Sequence, residues 1–201
     1  MRFNIQRLVR PALAFGVCVF AALPAKAGLY LEPYLGYQFG TIETTASGGA
    51  ASKSIGTGPT IGARVAYSLP IFYVGLDYEM MTGGKVKKDS GAGAVDGDLA
   101  SSSLFAVVGA RLPLIRAYAG YGFLNDWELK DASGTNTMKG SAIKLGAGFS
   151  GLPFICINLE YMLSTYNKLK TSAGEFSLSD AGLDKATAST YMLSVSLPLD
   201  F

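Results

Sequence analysis

In Leu29-Tyr30-Leu31-Glu32-Pro33-Tyr34-Leu35-Gly36-Tyr37-Gln38-Phe39 every odd position is apolar or aromatic, while Glu32, Gly36 and Gln38 fall on even positions. Successive side chains of a strand point to opposite faces, so a period of two predicts a β-strand with one greasy face. The same alternation returns in the segments 55–67, 72–81, 103–112, 115–123, 140–149, 155–163 and 190–201. Leu-Pro recurs at Leu69-Pro70, Leu112-Pro113 and Leu152-Pro153, in the short turns between segments, and at Leu197-Pro198 inside the last segment. Proline cannot donate to a ladder, so it belongs in turns or at strand ends. The stretches 42–54, 83–100, 125–138 and 165–187 are rich in Gly, Ser, Thr, Lys and Asp and are predicted to be long loops. Short turns on one side, long loops on the other and an even strand number predict an all-β fold. Its form is an eight-stranded antiparallel up-and-down transmembrane β-barrel over residues 28–201.

Composition agrees. Charged residues make up 16% of the 201 residues and apolar ones 49%, whereas soluble domains carry roughly 25% charge. The chain has no His, which excludes His-based triads, general bases and metal ligands. Residues 1–27 differ from the rest. Arg2, Arg7 and Arg10 precede an apolar run from Pro11 to Leu23, and Ala25-Lys26-Ala27 offers a small-residue cleavage site. That is the pattern of a cleaved signal peptide. Its removal takes four of the 17 Lys+Arg and none of the 15 Asp+Glu, so the basic precursor matures to a slightly acidic protein and nucleic acid is not an expected partner. Cys156 is then the one cysteine left, which rules out an intramolecular disulfide and suits a small buried filler.

The charges within the predicted strands and short turns are Glu32, Arg64, Asp77, Glu79, Arg111, Arg116, Lys144, Glu160 and Asp200. All lie opposite the apolar parity, so in a barrel they form a lumen charge network. Lys144 and Glu160 are equidistant from Leu152, and Arg64 and Asp77 are similarly placed about Leu69-Pro70, so each pair is expected to meet across a hairpin. An eight-stranded interior is just wide enough for side chains to fill, and buried charges must be paired; a plug of ion pairs follows. The competing expectation is a narrow polar path, because Gly36, Gly58, Gly62, Gly75, Gly109, Gly120, Gly122, Gly146 and Gly148 share the inward parity and would leave room for water or a small solute. On the opposite face, Tyr37, Phe39, Tyr78, Tyr121, Phe123, Tyr161 and Tyr191 fall toward the long loops, and Tyr67, Phe72, Phe149 and Phe201 toward the Leu-Pro turns. Two such levels match the girdles at membrane interfaces.

With the cleavage site, the alternating segments and the last strand Tyr191 to Phe201 in view, residues 28–201 resemble the small eight-stranded outer-membrane β-barrels of Gram-negative bacteria, the class of the OmpA membrane domain, OmpX and OmpW. The resemblance implies an outer-membrane location, periplasmic termini, extracellular long loops, and outer-membrane lipid and lipopolysaccharide as neighbours. It also implies that the terminal aromatic, Phe201, is the assembly signal read by the barrel assembly machinery. Pro198 departs from the pattern and predicts irregular pairing there.

The expected function is structural or surface-interacting. A channel or transporter for small solutes is the first alternative and a soluble exported ligand-binding barrel the second. No catalytic, cofactor or metal site is expected, since outer-membrane enzymes of comparable build use His. Asp96-Gly97-Asp98 offers too few oxygens for Ca²⁺. Lys85, Lys87 and Lys88 are placed in a loop, where lipopolysaccharide phosphates are one reading and plain solvation the other. A monomer is expected.

Overall fold

The computed structural model describes residues 28–90, 97–131 and 134–201. Residues 1–27, expected to be a signal peptide, lie outside them, as does Asp96 of the calcium candidate. Ten strands follow in chain order: β1 (Gly28–Ala46), β2 (Ala51–Ser68), β3 (Phe72–Ser90), β4 (Gly97–Arg111), β5 (Ile115–Asp131), β6 (Gly134–Phe149), β7 (Cys156–Thr171), β8 (Gly174–Ser177), β9 (Leu183–Ser196) and β10 (Leu199–Asp200). Each of β1 to β7 pairs antiparallel with its neighbour in sequence, and β9 closes the ring by pairing with both β7 and β1. The result is a closed eight-stranded up-and-down barrel. β8 adds a short hairpin to β7, and β10 continues the seam along β1.

Pro198 does not disturb the seam register. Tyr34 pairs with Ser196 before it and Leu31 with Leu199 after it. Leu197 and Phe201 donate to the carbonyls of Pro33 and Leu29 on β1. Donors alternate sides along a strand, so the missing N–H of Pro198 faces the β7 side. There β7 has already ended at Cys156, opposite Ser196, so proline costs the ladder nothing.

The outer face carries an apolar belt. Leu35, Leu76, Leu145 and Val195 point outward and are roughly half exposed or more, beside the aromatics of both predicted girdles. The strands do not stop where the belt does. On β1 the outward set runs from Leu29 to Phe39, then continues with the polar Thr41 and Glu43, while Ile42 turns inward and is buried. Most of each polar stretch expected to be loop is therefore strand. Alternation was read only where one face was greasy outward; beyond the belt the barrel inverts, with polar residues outside and apolar ones within.

Bulges make the inversion possible. A register shift between Met81 and Gly84, with Gly83 at φ +67°, inserts one residue into β3. An extra residue flips every following side chain to the other face, and Gly tolerates positive φ without a Cβ clash. Val86 thus points in, while Lys85 and Lys87 point out. Similar shifts between Gly122 and Asn125 on β5, and beside Tyr166 on β7, bring Trp127 and Leu169 to the inside.

Candidate functional site

Seven of the nine predicted lumen charges lie buried at the height of the belt: Glu32, Arg64, Asp77, Glu79, Arg116, Lys144 and Glu160. They come from β1, β2, β3, β5, β6 and β7. Directly opposed across the β2–β3 hairpin, Arg64 and Asp77 are joined at 3.0 Å. Arg64 also reaches Glu32 at 2.7 Å and lies 4.1 Å from the centroid of the Tyr118 ring. Lys144 Nζ stands among three carboxylates, Glu79 at 2.5 Å, Asp77 at 3.1 Å and Glu160 at 3.2 Å, and 4.0 Å from the Phe105 ring centroid. Arg116 binds Glu32, donates to Tyr30 Oη at 2.7 Å and to Asn158 Oδ1 at 3.1 Å.

Two expectations need correction. Lys144 is not opposed to Glu160; it pairs with Met162, and Gly146 pairs with Glu160. The hairpin is centred one residue later than Leu152, and the long lysine spans the resulting diagonal. Arg111 and Asp200 do not join the buried cluster. They pair with each other at 2.9 Å at the Leu-Pro mouth, where Asp200 is half exposed. Parity alone gives a face and not a depth, and both residues sit at strand ends.

The inward glycines do not leave room. An added Cβ would lie 2.2 Å from the Tyr34 ring at Gly62, 2.3 Å from the Tyr73 ring at Gly109 and 2.2 Å from the Tyr118 ring at Gly146. Each tyrosine stands directly across the strand pair from its glycine, so its ring covers the bare backbone. That placement aims the Tyr34 hydroxyl at Asp77 (2.8 Å) and the Tyr118 hydroxyl at Glu160 (2.6 Å). Glycine here is a seat for an aromatic ring that holds a carboxylate. Gly146→Leu should unseat Tyr118 and cost about 1–3 kcal/mol through overpacking, read as a shifted urea midpoint. No shift would mean that the ring is free to move aside.

Just above Lys144, between Gln38 and Met192, the interior leaves a void of about 10 Å³, room for about one water. Toward the far end the interior becomes apolar. Ile42, Val86, Leu99, Trp127 and Tyr166 cluster there with Leu178, from the turn after β8. Within that end opens a cavity of about 550 Å³. The sequence reading missed these residues: carried past the bulge on β5, the odd-outward parity would have placed Trp127 outside. At the opposite mouth, Tyr30, Arg111 and Cys156 line a second hollow of about 400 Å³, and Cys156 is buried with the inward parity expected of it.

The outer polar collar carries its own ion pairs. Lys85 belongs to β3 and not to a loop, and it pairs with Asp98. Glu175 accepts from Lys168 at 2.9 Å and from Lys139 at 3.0 Å. Those hydrogen bonds, with the two charges, pull its carboxyl down to about 2. The clamp between β6, β7 and β8 is therefore in place above the ordinary carboxylate range and is lost only as pH falls toward that value. Among the described residues no three His, Cys, Asp or Glu groups are arranged to hold a metal ion.

No protein-family model matches the chain, and no curated protein matches it in sequence. Solved structures do match. Ail, the attachment invasion locus protein of Yersinia pestis, is 16% identical with a TM-score of 0.50, over 87% of this chain and 100% of Ail. Neisserial surface protein A gives 16% and 0.48, over 87% and 98%. The outer membrane protein OprG from Pseudomonas aeruginosa gives 15% and 0.47, over 89% and 99%. At such identity the likeness is one of fold, and the fold is that of the small outer-membrane β-barrels.

Proposed function

We propose that this chain is exported and inserts into the bacterial outer membrane as a barrel closed to through-passage, with a structural or surface-contact role. The observation that carries this reading is the interlocked cluster around Arg64 and Lys144 at the height of the apolar belt, with a void of about 10 Å³ beside it. A solute path would have to break several buried ion pairs at once, and each lost partner strands a charge in a medium that solvates it poorly. The belt faces lipid. The Leu-Pro turns and both termini face the periplasm, and the polar collar faces outward, where its exposed lysines meet lipopolysaccharide phosphates. The barrel is a monomer.

Planar-bilayer recording tests the closure. The purified barrel should give no unitary conductance. Steps of conductance whose ion selectivity changes in Lys144→Met would replace this reading with that of a transporter, because a basic group lining a path sets the local potential. Carbonate extraction tests the location, since a soluble barrel would leave the membrane fraction.

Phe201 is exposed on the lipid-side parity at the end of the seam. We assign it to recognition by the assembly machinery. Deleting it should reduce outer-membrane yield and increase periplasmic degradation, measured by fractionation and immunoblot. Unchanged yield would remove that role.

A further inference from the structure

We infer that the far end of the barrel is a blind binding cup for a small, neutral, largely apolar molecule carrying one hydrogen-bond acceptor. The inference goes beyond the closed-barrel reading; the floor of the cup rests on that reading, the pocket itself does not.

Size comes first. Protein interiors are close-packed, with few voids larger than a water, yet this one measures about 550 Å³, within the roughly 300–1,000 Å³ usual for small-molecule sites. Its lining runs from Val86, Leu99 and Trp127 up to Ala50 in the β1–β2 turn, so it reaches the mouth. Below it the lumen narrows to the void of about 10 Å³ above Lys144, so it has a floor.

Chemistry comes from the walls. Ile42, Leu129, Met138, Leu169 and Leu183 supply apolar surface, and the polar contributions are the uncharged Thr44, Ser52, Ser54 and Asn136. Among the described residues no charged side chain lines the cup. An ionised ligand would therefore lose its hydration with nothing to replace it, whereas an alkyl or aryl group gains by leaving water. Donors on the wall are the hydroxyls of Thr44, Ser52 and Ser54 and the amide of Asn136. Trp127 lines the cup with its ring, its indole nitrogen being buried in the wall. An acceptor on the ligand that meets one of the wall donors adds a hydrogen bond.

The walls were also built against the local trend. β3, β5 and β7 each take a bulge before the cup, and those bulges turn Val86, Trp127 and Leu169 inward. Without them the same apolar groups would stand on the outer face of a polar collar.

Trp127 is the one tryptophan in the chain, so it reports on the cup directly. The experiment uses the mature barrel in lipid nanodiscs and 8-bromo-1-octanol, whose bromine quenches indole emission on contact. Saturable quenching is expected. 1-Bromooctane, which lacks the acceptor, should bind about five-fold more weakly. 8-Bromooctanoate at pH 8 should bind at least about ten-fold more weakly than the alcohol, because its charge has no partner in the cup.

The same chemistry could come from a bilayer lipid, so a phospholipid with brominated acyl chains forms a separate arm. It should leave Trp127 unquenched, because the cup lies beyond the aromatic belt. Met138→Lys and Ala46→Phe should each abolish saturable quenching while the heat-modifiable gel shift of the folded barrel is kept. If the lysine variant does not fold, the phenylalanine variant, which only fills space, decides. Quenching that rises linearly without saturation overturns the cup, as does saturable quenching unchanged in folded Ala46→Phe. Quenching by the brominated lipid overturns the assignment to a free small molecule. Conductance is measured on a separate sample and reports only on the plug, so failure of one reading is not failure of the other.

Discussion

Lys144→Met lowers the unfolding free energy of the barrel by about 3–5 kcal/mol, the cost of stranding partners of a buried ion pair. Three carboxylates, Asp77, Glu79 and Glu160, meet at that ammonium group, and all are buried. Removing the lysine leaves Arg64 to hold Asp77 at 3.0 Å and Glu160 at 3.7 Å, while Glu79 loses its 2.5 Å cation. Adding Glu79→Gln should recover part of the loss, since one uncompensated charge is removed and the side-chain oxygen that accepts from Gln38 Nε2 at 3.3 Å can be kept. Urea titration of the wild type, both singles and the double in lipid measures the coupling. A loss of about 1 kcal/mol or less would mean that water screens these groups as it does exposed pairs, and the plug would have to be redrawn as a hydrated path.

The second large effect concerns the belt. Leu76→Arg and Leu145→Arg should each impair insertion, because a guanidinium on the lipid face costs roughly 2–4 kcal/mol near mid-bilayer. Both leucines are about half exposed on the outside, within the apolar belt. Glu43→Arg, outward on β1 but beyond the last belt aromatic, Phe39, should insert normally and change stability by no more than about 0.5 kcal/mol. Heat-modifiable gel mobility and outer-membrane yield read all three. Normal insertion of both belt variants would remove lipid as the neighbour of this surface.

Sequence pattern carried the closed fold because greasy outward positions repeat at period two wherever lipid is the outside solvent. It carried the burial of Glu32, Arg64, Asp77, Glu79, Arg116, Lys144 and Glu160 for the same reason: parity in a closed barrel leaves a charge nowhere else to go. Depth along the barrel was not legible, so Arg111 and Asp200, at the more exposed Leu-Pro mouth, were grouped with fully buried residues. Bulges were not legible either. A single extra residue near Gly83 reverses inside and outside without altering composition, and the apolar interior of the collar was therefore read as loop. The glycines misled in a different way. Absence of a side chain signals space only when no neighbour fills it, and Tyr34, Tyr73 and Tyr118 do so from the adjacent strand. A pairing register, which fixes that neighbour, is a property of two segments together.

The seam bears on how the molecule is made. β1 pairs with β9 from Tyr34–Ser196 to Ala46–Leu183, and with β10 at Leu31–Leu199, so the first strand finds its last partner only when the whole chain is present. Contacts so distant in sequence come late, because loop-closure entropy is spent before they are gained. Until then two strand edges remain open, each a template for pairing with another chain. The unbroken register through Pro198 adds a constraint: the closing strand zips in one alignment from Thr45–Lys185 to Leu31–Leu199, and a slip of one residue would turn Ser194 and Ser196 toward lipid and Leu193 and Val195 toward the charged interior. An incomplete or misregistered barrel is thus marked chemically, by exposed edges and by a seam of the wrong polarity, before it can persist.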